Sequence, residues 1–130
     1  MSQDNERAAL AAIDAIIDDF GHHRRDEYFA GFAPDATFVF HTSPARLESR
    51  ADYEKLWAEW ERESGFSVQS CSSTGRRIQL FGTIAVFSHD VETVLRVNGV
   101  LEIQQERESI IMEERDGVWL CIHEHLSGLD

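Results

Sequence analysis

The residues best equipped for chemistry lie near the C-terminal end of the chain: Arg107, Ser109, His123 and His125. On a β-strand, His123 and His125 project from one face about 6–7 Å apart. An imidazole, with a reference pKa near about 6.5, suits proton transfer close to neutrality. Three uses compete for the pair: a polar lining for a ligand's carbonyl or hydroxyl, a structural hydrogen-bond network, and a metal site with His41 as third ligand. A lone His-x-His is a weak metal signal, so no metal and no cofactor are expected. Arg107 sits between Glu106 and Glu108, and strand alternation sends both glutamates to the face opposite it. An Arg on the inner side of a sheet must be paired or must bind an anion, because an unpaired buried charge is costly. Asp90 is the structural candidate for that partner, and a ligand carboxylate or enolate the functional one. No Gly-rich phosphate loop, nucleophile elbow or Cys-His pair is visible, which leaves nucleotide and covalent chemistry without a carrier.

These side chains converge only if the strands that hold them pair in one register. From residue 66 onward four runs, 66–81, 84–97, 100–114 and 118–127, are separated by Gly82-Thr83, Asn98-Gly99 and Asp116-Gly117. Asn-Gly between apolar residues signals a two-residue hairpin turn. It places Asp90 opposite Arg107 and Ser88 opposite Ser109, whereas a slip of one residue brings His89 and Phe87 there instead. The last hairpin closes in two ways. A two-residue Asp116-Gly117 turn pairs His123 with Ile110 and His125 with Glu108. A three-residue loop with Gly117 as a bulge pairs His123 with Ser109 and His125 with Arg107. The second collects compatible polar groups and is adopted. The expected pocket wall is then Arg107, Ser109, His123 and His125, with Asp90, facing Tyr53, Trp57 and His41. Leu120, Ile122 and Leu126, with Ile110 and Met112, fall on the other face, where a second subunit would cover them.

Three helices precede or interrupt these strands. Residues 3–20 carry Leu10, Ile13, Ile16, Ile17 and Phe20 on one face, with Gly21 as the stop. A short helix over 25–32 carries Tyr28, Phe29 and Phe32 and cannot pass Pro34. A strand is expected over 36–41. Ser49-Arg50-Ala51-Asp52 fits a helix-capping box and opens a helix over 50–63, with Tyr53, Leu56, Trp57 and Trp60 on its apolar side. Aromatic residues at that spacing belong to a core more often than to a cofactor site. Trp119 is expected to close the core at its narrow end, and His22-His23-Arg24-Arg25 reads as a solvated connection.

The whole chain has 130 residues, with 12 Lys and Arg against 24 Asp and Glu, for a formal charge of −12. That balance argues against nucleic-acid binding and against docking on an anionic membrane. At 42% hydrophobic the chain is too apolar to be disordered. No secretory leader or apolar run long enough for a membrane span is apparent, so a cytoplasmic location is expected. Cys71 and Cys121 lie in strand-like runs and are expected as reduced thiols.

Three segments carry a resemblance. FAGFAPDATFVFH at 29–41, GTIAV at 82–86 and above all RESIIMEERDGVWLCIHEHLS at 107–127 resemble the nuclear transport factor 2-like superfamily, in its SnoaL-like and ketosteroid-isomerase-like branch. The resemblance implies one α+β domain over 1–130, a cystatin-like cone with three helices on the concave face of a curved, mostly antiparallel sheet. It also implies a pocket between helices and sheet, and a homodimer through the convex face. The same fold hosts several chemistries and pure association domains. The expected ligand is a small, largely apolar molecule with one polar or anionic group, bound by His41, Tyr53, Trp57, Asp90, Ser109 and Trp119. In an enzyme, cofactor-free isomerisation, dehydration or cyclisation near a carbonyl would use His123 or His125 as proton shuttle and Arg107 as stabiliser of negative charge. The helix over 3–20 holds no tyrosine, which does not support a steroid-isomerase mechanism. The alternative is a non-catalytic association or ligand-sensing domain in which the polar cluster is structural.

Overall fold

The chain runs α1 (Ser2–Gly21), α2 (Arg25–Ala30), β1 (Phe32–Phe40), α3 (Arg50–Ser64), β2 (Ser67–Phe81), β3 (Ile84–Val97), β4 (Val100–Arg115) and β5 (Val118–Gly128). These elements come from a computed structural model that describes residues 2–129. One five-stranded sheet has the order β1-β5-β4-β3-β2, antiparallel except for the β1–β5 pair. The three helices pack against one face of this curved sheet, α1 chiefly on β2 and α3 on β1.

Local chemistry sets the ends of these elements. Ser49 caps α3, its side chain accepting from the Asp52 backbone N–H at 3.1 Å. Gly65 closes α3 in the left-handed conformation, with φ of 59°. The expected strand at 36–41 starts earlier, at Phe32, with Pro34 inside it. β1 is an edge strand whose pairing with β5 is irregular between Phe32 and Thr37, so the missing Pro N–H costs no ladder bond.

The core is aromatic. Tyr28, Phe29, Phe32, Phe38, Tyr53 and Trp57 are all buried, Trp57 and Phe38 completely. Edge-to-face contacts join them, with ring centroids 4.6 Å apart for Phe38–Tyr53 and 4.9 Å for Phe29–Tyr53. The expected solvated connection after α1 is half structural. His23 stacks on Trp57 at 5.0 Å, accepts the Val68 N–H at 3.0 Å and meets Glu61 at 2.7 Å. Glu61 also accepts the Trp57 indole N–H at 3.0 Å. One imidazole and one carboxylate thus tie α3 to the start of β2.

The last hairpin corrects the expected register. Asp116 and Gly117 form a two-residue turn, with φ of 52° and 82°, as a type I′ turn requires. Arg115 pairs Val118 and Glu114 pairs Trp119, until a bulge between Ile111 and Met112 of β4 leaves Ile122 of β5 without a partner. Beyond it, Ile111 pairs His123, Ser109 pairs His125, and Arg107 pairs Ser127. The three-residue loop is absent, and the single bulge restores its parity. In the β3–β4 hairpin the strict register holds, with Asp90 opposite Arg107 and Ser88 opposite Ser109.

Candidate functional site

Strand alternation decides which side chains meet the helices. On β3 the set Ala85, Phe87, His89, Val91, Thr93 and Leu95 is buried, while Ser88 and Asp90 face the other way. The β3–β4 register then sends Glu106, Glu108, Ile110 and Met112 toward the helices, and the β4–β5 register sends Glu124 with them. The expected wall of Arg107, Ser109, His123, His125 and Asp90 lies on the opposite, uncovered face. Arg107 is well exposed, and its Nε–H donates to Asp90 at 3.3 Å. His123 hydrogen-bonds the Thr37 hydroxyl at 2.8 Å. Burial, and then the neighbouring His125, hold the His123 imidazole below its usual pKa. Ile110 and Met112, expected under a second subunit, are fully buried beneath the helices, and Leu126 lines the interior.

Between helices and sheet lies a cavity of about 260 Å³. Of the nine candidate residues only Tyr53 lines it. Trp57 and Trp119 are core residues beside it, and His41 reaches its edge by bonding Glu106 through Nε2 at 2.5 Å. Gly128, which pairs Glu106 in the ladder, lies beside the His41 ring. A Cβ on Gly128 would lie 3.7 Å from the His41 ring. His41 is engaged by Glu106, and it forms no metal-type cluster with His123 and His125. Among the described residues no cluster of three or more His, Cys, Asp or Glu side chains is arranged to hold a metal ion.

The polar groups that do line the cavity are acidic. Glu124 is 3% exposed, and its Oε1 has no hydrogen-bond partner. Burial raises the Glu124 pKa well above the ordinary carboxylate range, and Glu108, within hydrogen-bonding reach, adds to the rise. The protonated form is therefore favoured, and it can share its proton with the Glu108 carboxylate. Glu108 is also bonded by His89 Nε2 at 2.8 Å, and His89 Nδ1 meets the Ser73 hydroxyl at 2.6 Å. With Ser73 donating to Nδ1 and Nε2–H donating to Glu108, both ring nitrogens are satisfied. Ser73 does not line the cavity, so the Ser73–His89–Glu108 line braces a carboxylate and does not present a nucleophile.

Across from the carboxylates, Tyr28 and Tyr53 share a hydrogen bond of 3.0 Å between their hydroxyls. Burial, with a further push from Glu124, lifts both phenols well above their usual pKa, so they act as neutral hydroxyls. Phe20, Phe40, Trp60 and Phe66 complete the aromatic wall. Cys71 also lines the cavity, but burial pushes its thiol up to about 12, which removes thiolate chemistry at neutral pH. Both cysteines are free.

Comparison with known proteins agrees with this architecture. An NTF2-like superfamily protein from Salmonella enterica serovar Typhimurium LT2 superposes with a TM-score of 0.85 at 15% identity, over 100% of this chain and 94% of that one. A ketosteroid isomerase-like protein from Erwinia carotovora atroseptica gives 0.78 at 14% identity, over 95% of each chain. A putative calcium/calmodulin dependent protein kinase II association domain from Xanthomonas campestris gives 0.70 at 24% identity, over 95% of this chain and 86% of that one. A search of curated proteins gave no significant match. The SnoaL-like domain family matches residues 9–130. With three helices on a curved five-stranded sheet like that of the NTF2-like structures, and a family match along nearly its whole length, the chain belongs to the SnoaL-like domain family.

Proposed function

We propose that this domain binds a small, mainly apolar molecule in the cavity, holding the molecule's one polar end against Glu124. The observation that carries the reading is the buried, unpartnered Oε1 of Glu124 in a cavity walled by aromatic rings. A buried polar atom without a partner costs about 1–3 kcal/mol, and a ligand group that bonds it recovers that cost. Apolar walls with a few convergent polar groups are the usual make-up of a small-molecule site. An anionic end, allowed for from Arg107, is disfavoured because among the described residues no Arg or Lys lines the cavity to pair with it.

A Glu124 that favours its protonated form beside Glu108 also favours a catalytic version of the reading. Glu124 would donate a proton toward a carbonyl, and the His89-braced Glu108 would take one from the adjacent carbon. In the non-catalytic version the same pair only holds the ligand. Incubation of a bound ketone in D₂O separates the two, because only the catalytic version exchanges deuterium into the carbon next to the carbonyl.

Thermal-shift screening with aromatic and alicyclic ketones, alcohols, amines and acids tests the binding itself. A ligand at 100 times its Kd adds about 2.7 kcal/mol of stability, so wild type is expected to respond to non-acidic members. Glu124→Leu is expected to melt higher than wild type without ligand and to lose the response. A wild type that ignores the panel, or a Glu124→Leu protein that keeps the full response, overturns the reading.

A homodimer through the uncovered sheet face is the second part of the proposal. That face carries Val86, Val94, Ile103 and Ile111 on adjacent strands, and Ile103 is 67% exposed. The occupant is a second copy of this chain, in keeping with a solved neighbour named as an association domain.

A further inference from the structure

We infer that the polar end of the ligand is an ammonium group, so that the cavity selects apolar amines; the inference rests on the ligand-binding reading above. Three features of the cavity point the same way. Glu106 and Glu108 project from one face of β4, and Glu124 joins them from β5. Glu124 is buried and offers a free oxygen. Among the described residues no Arg or Lys lines the space. The opposite wall presents rings from α1, α2 and α3, among them Phe20, Tyr28, Tyr53 and Trp60, side chains of a type that attracts cations at the ring face. A neutral carbonyl would use the Glu124 proton alone, whereas a primary ammonium has three donors for a multiply acidic corner. At about 260 Å³ the space exceeds the ~150 Å³ cavity that admits benzene, so an arylalkyl amine fits its size.

Binding must then move a proton. Free Glu124 holds its proton because of burial and of Glu108 beside it. When the ammonium arrives, the Glu124 O–H bond breaks, the proton leaves to solvent, and the carboxylate pairs with the cation. The amine brings its own proton and keeps it, so one proton is released per ligand bound. The titratable groups around Glu124 are Glu106 and Glu108 on β4, His89 on β3, Cys71 on β2, Cys121 on β5, and Tyr28 and Tyr53 from the helices, with His41 at Glu106. The two phenols and two thiols stay neutral through the range of the test, because each is pushed upward.

Isothermal titration calorimetry with 2-phenylethylamine, 2-phenylethanol and phenylacetate decides the matter, run at one pH in two buffers of different ionisation enthalpy. The amine is expected to bind best, to release about one proton, and to bind more tightly as pH rises. Glu124→Gln, close to isosteric, is expected to weaken the amine by about tenfold or more and to abolish the release. Tighter binding of the alcohol, or amine binding without proton release, overturns the amine inference and leaves the binding reading standing. If none of the three probes binds at millimolar concentration, both fall.

Discussion

Glu124 is the residue on which the proposed binding turns, and its burial has a consequence that needs no ligand to measure. Its pKa is raised in the fold above the unfolded value near about 4.5 by desolvation first and by Glu108 second. A carboxyl raised in this direction supports the fold fully below the unfolded pKa. That support is lost as pH climbs toward the folded pKa, because only the unfolded chain ionises freely there. Glu106 is shifted upward as well, by burial, against the pull of His41. Glu124→Gln removes the larger part of this dependence. Its melting temperature is expected to match wild type near pH 5 and to exceed it by a few degrees or more near pH 8, on the order of 1 kcal/mol. Melting curves at the two pH values check this, and a constant gap between variant and wild type would contradict it.

At the scale of elements, much was legible in the sequence, because boundaries are written in local chemistry. The cap at Ser49 and the Asn98-Gly99 turn each act over a few residues, and both appear where expected. Ser49→Ala is expected to cost about 1 kcal/mol, measurable by denaturant unfolding, with the cavity intact. The face of the sheet was the harder question. The polar quartet Arg107, Ser109, His123 and His125 does share one face, but that face points away from the helices. The signal that orients it lies in β3. Ala85, Phe87, Val91 and Leu95 outweigh Ile84, Val86 and Val94 in apolar character once Ser88, Asp90, Glu92 and Arg96 are counted on the second side. With the Asn98-Gly99 register, that asymmetry sends His89, Glu108 and Ile110 inward together. The bulge at Ile122 left no comparable mark in the sequence, since a one-residue insertion depends on how the whole β5 strand settles against β1 and β4.

For the whole molecule, the charge of −12 is not confined to a solubilising exterior around a basic pocket. Part of the acidic complement enters the fold, as Glu106, Glu108 and Glu124 along one wall of the cavity, while Arg107 stands outside, paired with Asp90. Among the described residues no helix is long and apolar enough to cross a membrane. With a second copy on the uncovered sheet face, as proposed, light scattering is expected to report twice the 14.8 kDa of one chain. Ile103→Glu is expected to return it to the monomer, and a monomeric wild type would rule the dimer out. The cavity's account rests finally on the state of one carboxyl, which carbon-13 NMR of glutamate-labelled protein reads directly. The expected result is a Glu124 carboxyl that keeps the chemical shift of the protonated form well above the pH at which the exposed glutamates ionise. A Glu124 signal that titrates alongside them, near about 4.5, would contradict the account.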